Sequence, residues 1–185
     1  MTGPAPLTYP LASLLAELPG TRRHYAVHGA TIALPDDLRL AEPIEGRVEI
    51  ARTNRGVLVV AALSTAIEAS CARCLRDIEV PIEIAIDEEV LPSVELASGL
   101  PLDPSAEPDV ARLNDHHELE LGTLVGDAIS LAEPIAPLCE AACPGLCPTC
   151  GERLGPRHVA HAADDVDPRL EALRAFRVDG PDETG

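Results

Sequence analysis

The chain has 185 residues, with 14 basic and 31 acidic side chains and a formal charge of -17. The length suits one domain, and 46% hydrophobic residues are enough for a buried core. The acidic balance argues against a protein that coats DNA or adsorbs to anionic lipid, because both need a cationic surface. No stretch has the length and apolarity of a membrane span. Because Met1–Gly20 also lacks the pattern of a signal peptide, we expect a cytoplasmic protein.

The N-terminal third predicts one short helix followed by strands. Four leucines recur at helical spacing before Pro19-Gly20, at positions 11, 14, 15 and 18. Residues 22–36 are ambiguous and are read as one or two strands with a turn at His28-Gly29. Val48 and Ile50 then alternate with polar neighbours, and residues 53–56 supply a turn.

The clearest pattern predicts a β-hairpin with a cysteine pair in its turn. Residues 57–70 form a long apolar run without helix breakers, and residues 76–88 alternate strictly between apolar and polar. The apolar set of the second strand is Ile78, Val80, Ile82, Ile84 and Ile86. Pro81 places this strand at a sheet edge, where a missing N–H is tolerated.

The rest of the chain completes an α+β prediction: an antiparallel sheet with a few short helices and a Cys-rich zinc-binding segment packed at one end. A helix is expected from Leu121 to Ala132, ended by Pro134. We expect a single domain over 1–185, with a core at about 20–90 and 118–151, a mobile acidic loop at 91–117, and a His-containing tail at 152–185 with a short helix at 168–177.

Six cysteines and a downstream histidine pair carry the chemistry of the sequence. In the cytoplasm, thiols stay reduced, so clustered cysteines indicate metal binding more than disulfides. The expected zinc ligands are Cys71, Cys74, Cys139, Cys143, Cys147, Cys150, His158 and His161. Eight ligands make two closed tetrahedral sites, which would be structural because no coordination position stays open for substrate.

Three ligand pairings are compatible with the spacing. The preferred one joins Cys71, Cys74, Cys139 and Cys143 at one site and gives the second site Cys147, Cys150, His158 and His161. A competing one combines Cys71, Cys74, Cys147 and Cys150 as two halves of a zinc ribbon, and a third uses the four clustered cysteines alone. One zinc ion is expected and two are possible.

Charge is unevenly distributed along the chain. Residues 20–76 carry eight Arg against six acids, whereas residues 77–120 carry one Arg against thirteen acids. If the first half contacts RNA phosphate, the candidate residues are Arg52, Arg55, Arg73 and Arg76. At the overall charge of -17, electrostatic steering favours a basic protein partner over naked RNA.

Four sequence blocks together resemble the bacterial YceD family, whose members are described as large ribosomal RNA subunit accumulation proteins. The blocks are CARCL at 71–75, ELELGTLVGDAISLAEPIAPLC at 118–139, CPGLCPTCGERL at 143–154 and DPRLEAL at 167–173. The resemblance covers roughly 46–176. In some relatives, ligands are retained only at the positions of Cys71, Cys74, Cys139 and Cys143, which supports the preferred pairing.

The resemblance implies a non-enzymatic factor for 23S rRNA synthesis, processing or stability and for large-subunit assembly. The implied partners are a ribosomal RNA precursor, a basic large-subunit ribosomal protein, or both. An acidic chaperone for such a ribosomal protein is the alternative function. Membrane, DNA and small-molecule substrates are not expected.

Enzyme and transcription-factor functions fit the sequence less well. A thiol redox pair at Cys71 and Cys74 would be expected at a helix start rather than at a hairpin turn. No G-x-S-x-G, P-loop or H-E-x-x-H motif is present in the sequence. A DNA-reading zinc module needs a basic recognition face, which the residue counts do not supply.

Overall fold

The computed structural model describes residues 7–35, 38–159, 161 and 169. Over these residues the chain is α+β, as predicted, with six antiparallel strands and two short helices. The elements in chain order are β1 (Thr8–Pro10), α1 (Ala12–Leu15), β2 (Arg22–Ala30), β3 (Leu40–Arg52), β4 (Val57–Ser70), β5 (Asp77–Val90), β6 (Glu118–Glu120) and α2 (Leu121–Ala132).

The main sheet is an antiparallel meander with the strand order β2-β3-β4-β5. The predicted hairpin is confirmed: β4 and β5 pair without interruption from Ser70↔Asp77 to Val57↔Val90. Period-two alternation directs Ile82, Ile84 and Ile86 to the buried face. As predicted from Pro81, β5 is an edge strand.

Two differences from the sequence prediction lie in β2 and β3. His28 and Gly29 do not turn the chain, because β2 continues to Ala30 with an irregularity after Val27. Gly29 accommodates it with φ +66. β3 begins at Leu40, well before the predicted alternation, and its register shifts twice before Gly46. A Cβ on Gly46 would clash with the carbonyl oxygen of Ala62, so only glycine allows β3 to approach β4 this closely.

A second, two-stranded sheet closes the other side of the core. β1 pairs with β6 from Thr8↔Glu120 to Pro10↔Glu118. The predicted N-terminal helix is shorter than its leucine pattern, since it ends at Leu15. Leu11 and Leu14 are fully buried, whereas Leu18, beyond the helix, is 81% exposed. The predicted helix α2 is confirmed, and it buries Leu121, Val125 and Ile129. The core thus lies between the main sheet, α1 and α2.

Residues 91–117 connect the two sheets without a strand of their own. They contain a 3-10 turn at Pro104–Ala106 and isolated bridges Leu91↔Arg112 and Val94↔Pro101. Leu91, Val94 and Leu113 are buried, so the segment is attached to the core at both of its ends. Its mobility stays a prediction, and the predicted helix at 168–177 lies outside the described residues except for position 169.

The helices of the described residues give no candidate for a membrane span, since none has the required length and apolarity.

Candidate metal centre

The turn of the long hairpin brings the first two cysteines together. We call residues 71–76 the first knuckle. The N–H of Cys71 donates to the carbonyl of Arg76 at 2.8 Å, and the N–H of Leu75 donates to the carbonyl of Cys71 at 2.9 Å. Leu75 closes this turn in the left-handed region, with φ +54. The result is a tight loop between two strands, and not the helix start that favours thiol redox chemistry.

The segment after α2 supplies two more thiols to the same point. The N–H of Ala72 donates to the carbonyl of Pro137 at 2.8 Å, which holds this segment against the first knuckle. The Sγ atoms of Cys71 and Cys143 are 3.8 Å apart, as are those of Cys74 and Cys139. A tetrahedron with Zn–S bonds of about 2.3 Å has S···S edges of about 3.8 Å. These four cysteines form the first site, and all four sulfurs lie within 4.8 Å of one another.

The first site is shielded from solvent, and its thiols differ in acidity. Cys71 is 0% exposed, Cys74 5% and Cys143 2%. Backbone N–H groups of Cys139 and Cys74 lower the pKa of Cys71 to about 6. Burial raises the pKa of Cys143 to about 12, and the neighbouring thiols add to the increase. Four crowded sulfurs therefore cannot all ionise on their own, whereas a bound cation stabilises all four thiolates.

The remaining predicted donors form a second site. We call residues 147–152 the second knuckle, in which the N–H of Cys147 donates to the carbonyl of Glu152 and the N–H of Gly151 to the carbonyl of Cys147. This repeats the bonding of the first knuckle, with Gly151 at φ +72 in the place of Leu75. The sulfurs of Cys147 and Cys150 and one ring nitrogen each of His158 and His161 lie within 4.8 Å of one another.

The second site is more open than the first. Cys147 is buried and His158 half-buried, but Cys150 and His161 are exposed. The Cys150 sulfur is 3.3 Å from Nε2 of His158, close to the edge of about 3.6 Å that tetrahedral zinc with S and N ligands requires. Backbone N–H groups of Cys150 and Thr149 lower the pKa of Cys147.

This arrangement matches the first of the three pairings that the sequence left open. The zinc-ribbon pairing needs Cys147 and Cys150 beside Cys71 and Cys74, yet the structure groups them with the histidines. Each site offers four donors, which fills a tetrahedral zinc ion and leaves no position for a substrate or water. The first set has four thiol donors, and the second has two thiols and two imidazoles. Zinc takes such sulfur and nitrogen ligands, whereas calcium and magnesium take oxygen.

The four arginines predicted to contact RNA lie at two opposite ends of the main sheet. Arg52 and Arg55 flank the turn before β4, whereas Arg73 and Arg76 belong to the first knuckle after it. The fourteen residues of β4 separate the two pairs by roughly 45 Å at about 3.3 Å per residue. One compact phosphate site therefore cannot use all four.

Each of these arginines also contacts its own chain. Arg52 donates to the carbonyls of Leu15 and Gly56, and Arg55 forms a two-pronged ion pair with Glu107. Arg73 donates to the carbonyl of Cys143 at 3.0 Å. The Cys139 sulfur raises the pKa of Arg76 through a hydrogen bond to its guanidinium. Arg76 thus lies beside the sulfurs of the first site, and Arg73 lies against the backbone of one of its cysteines.

Arg153, in the second half of the Cys-rich segment, is a functional candidate that the sequence motifs do not indicate. Its Nε donates to the carbonyl of Cys74 at 3.0 Å. No spacing rule identifies such a residue, because its acceptor is a backbone carbonyl 79 positions away.

The outer face of the main sheet, which is turned away from the core, is strongly acidic. Within the regular part of the ladders, alternation and register place eight carboxylates on it, with Arg22 and Arg47 as the strand cations among them. The carboxylates are Glu45, Glu49, Glu68, Asp77, Glu79, Glu83, Asp87 and Glu89. At the end nearest the first knuckle, three of them and Arg39 line an open cleft of about 710 Å³.

Comparison with known proteins decides the family. A family model described as "Large ribosomal RNA subunit accumulation protein YceD" matches residues 59–177, which include all eight donors of the two sites. The chain belongs to the YceD family. The resemblance predicted from the sequence blocks is thereby confirmed.

The similar curated proteins are mycobacterial. An uncharacterized protein of Mycobacterium tuberculosis H37Rv and one of Mycobacterium bovis are each 30% identical over 126 residues, or 68% of this chain and 58% of theirs. One of Mycobacterium leprae is 25% identical over 126 residues, or 68% of this chain and 55% of its own. This YceD chain thus spans somewhat more than half the length of these relatives. No solved structure matches it.

Proposed function

We propose that this chain is a non-enzymatic cytoplasmic factor that supports the accumulation of 23S rRNA and the assembly of the large ribosomal subunit, with two structural zinc ions. The family match over residues 59–177 carries the ribosomal part of the proposal. The grouping of the eight donors supports the zinc part. The first site would be held by its four cysteines, and the second by Cys147, Cys150, His158 and His161.

In this proposal, zinc fixes the shape of a segment that packing alone does not hold. Outside the main core, the buried cluster around the first site consists of Cys71, Cys74 and Cys143, with Ile78, Cys139 and Leu146 packed against it. Few apolar side chains stabilise this region, so metal affinity becomes the main source of its folding free energy.

We place the RNA contact at the first knuckle, through Arg73 and Arg76. Arg73 donates to the carbonyl of Cys143, and the Cys139 sulfur raises the pKa of Arg76, so both positive charges lie next to the first site at the end of the sheet. Arg52 and Arg55, at the far end, are too distant to bind the same phosphates.

A filter-binding titration with 23S rRNA fragments tests this function. We expect salt-dependent binding by the zinc-loaded chain, and the slope of log affinity against log salt should fall by about 0.7–0.9 for each phosphate that a variant no longer neutralises. Arg76→Gln should weaken binding, whereas Arg22→Gln, which removes a cation from the outer face, should not. Equal effects of the two variants, or no salt dependence, would refute an RNA contact at the first knuckle.

The outer face supports a second candidate function, the shielding of a basic ribosomal protein. Its eight carboxylates complement Lys- and Arg-rich surfaces far better than they complement RNA. Glu83→Lys together with Asp87→Lys should then slow association with a basic large-subunit protein, and most strongly at low salt. Glu95→Lys with Asp115→Lys, in the connecting segment, is the matched control. Tight RNA binding without binding of the basic protein would exclude this candidate.

A further inference from the structure

Arg153 connects the two metal sites. The residue directly follows the second knuckle and bridges to Leu146, yet its guanidinium reaches the first knuckle. Nε donates to the carbonyl of Cys74 at 3.0 Å, and a second guanidinium nitrogen is 3.4 Å from the carbonyl of Leu75. These two carbonyls belong to the turn that presents a ligand of the first site.

The second knuckle determines where Arg153 lies. Arg153 forms a bridge with Leu146, and the neighbouring N–H of Leu154 donates to the carbonyl of Gly145 at 2.9 Å. The N–H of Cys147 donates to the carbonyl of Glu152, directly before Arg153. The backbone of Arg153 is therefore held by the same turn that brings Cys147 and Cys150 together.

Charge explains why the first site needs this guanidinium. Four thiolates around a divalent cation leave two net negative charges in a buried place, and buried charge is costly unless it is paired or hydrogen-bonded. Arg73 and Arg76 supply cations from the first knuckle itself. Arg153 supplies another from outside it, on a rigid planar group whose donors reach the carbonyls of Cys74 and Leu75.

We propose that Arg153 couples the two sites, so that metal at the second site strengthens metal binding at the first, and the reverse. This rests on the proposed occupancy of both sites by zinc. Ordering the second knuckle positions Arg153, and the positioned guanidinium stabilises the turn of Cys74. By reciprocity, each site raises the affinity of the other by the same factor.

The two sites differ in exposure, so we expect metal to be lost from them in a fixed order. Three donors of the first site are at most 5% exposed, whereas Cys150 and His161 in the second site are exposed. Chelators and competing thiols reach the second site first. Its loss would then release Arg153 from the first knuckle and loosen the buried metal.

A double-mutant cycle with Co²⁺ as the probe tests the coupling in the full chain. His158→Ala combined with His161→Ala disables the second site, and Arg153→Gln removes the connecting guanidinium. The measured quantity is the Co²⁺ dissociation constant of the first site. It is monitored through the thiolate-to-cobalt absorption bands of the four-sulfur coordination. We expect the histidine variant to raise the dissociation constant of the first site about tenfold, and Arg153→Gln to raise it by about the same factor. The variant that combines these substitutions should bind little more weakly than either one alone.

The matched control separates Arg153 from other routes between the sites. Arg73→Gln also removes a guanidinium next to the first site, one that donates to the carbonyl of Cys143. Arg73 lies in the first knuckle and not beside the second. This variant should weaken the first site and leave the effect of the histidine variant unchanged. Arg153→Lys keeps the charge without the planar fork and should give an intermediate affinity.

Two results overturn the coupling. If the histidine variant weakens the first site equally with and without Arg153, the coupling runs through the chain at 143–147 or the packing of Leu146. If it does not weaken the first site at all, the sites are independent. Either result leaves the zinc proposal intact, whereas a wild-type chain that binds no Co²⁺ refutes both.

Discussion

Removal of metal should unfold the Cys-rich segment and leave the main sheet folded. The two regions have separate buried clusters: one spans the main sheet, α1 and α2, and the other surrounds the first site. Ile78 and Leu146 contribute about 1.5–3 kcal/mol each at full burial. Ordering roughly twenty residues at 139–159 costs about 1–2 kcal/mol for each residue. The free energy from packing is therefore far smaller than the entropy cost of ordering this segment. The difference is comparable to the binding free energy of one or two structural zinc ions, at about 10–16 kcal/mol each.

Hydrogen exchange measured by mass spectrometry, with and without a strong chelator, checks this expectation. Amides at 139–159 should lose protection on chelation. In the parts of β4 and β5 that are distant from the first knuckle, the amides should keep their protection. Cys139→Ser should reproduce the pattern without chelator, and added zinc should restore protection only in the wild type. Retained protection at 139–159 after metal removal, or simultaneous loss in the whole sheet, would refute the reasoning.

Three further predictions concern the sheet. Gly46→Ala should cost about 3–5 kcal/mol of unfolding free energy, because the added Cβ would clash with β4 and the residue has a positive φ. Gly29→Ala, where the Cβ would lie in open space, should cost only about 1–2 kcal/mol. Equal losses for the two variants in urea denaturation would contradict this. Arg52→Ala should cost about 1–3 kcal/mol in the same assay, because the partly buried carbonyl of Leu15 loses its guanidinium donor and that of Gly56 keeps only the N–H of Thr53; an unchanged urea midpoint would contradict it. Hydrogen bonds from His28 and the Gly29 N–H lower the pKa of Glu45 below its ordinary 4.5, so its stabilisation is present above that value and is lost as pH falls through the lowered pKa. Glu45→Gln should remove this part of the acid-range dependence, and carboxyl NMR titration that gives an ordinary or raised pKa would refute it.

Long periodic segments made most of the main sheet predictable. The alternation in β5 and the apolar run of β4 predict the hairpin, and Pro81 predicts its edge position. These signals are local, since each strand carries its own pattern. Counting ligands predicted two sites of four donors but left three pairings open, and the structure groups the donors as the preferred pairing does.

The features that the sequence did not reveal depend on contacts between distant residues. β1 and β6 have three residues each, too few for a period, and they pair across more than a hundred positions. The early start of β3 consists of pairings with β4, such as Leu40↔Ile67, interrupted by two register shifts that no local period marks. The intramolecular hydrogen bonds of Arg52, Arg73 and Arg153 end on backbone carbonyls, which no side-chain pattern indicates.

The first knuckle also governs how the two longest strands align. Its internal hydrogen bonds fix the number of residues between Ser70 and Asp77, the last pair of the ladder. A slip of one position along β5 would turn its isoleucines outward and its carboxylates into the core. A metal-bound turn at this place would forbid such a slip without any Asn-Gly sequence. In a chain that folds without zinc, the apolar alternation of β5 alone would have to keep the two strands aligned.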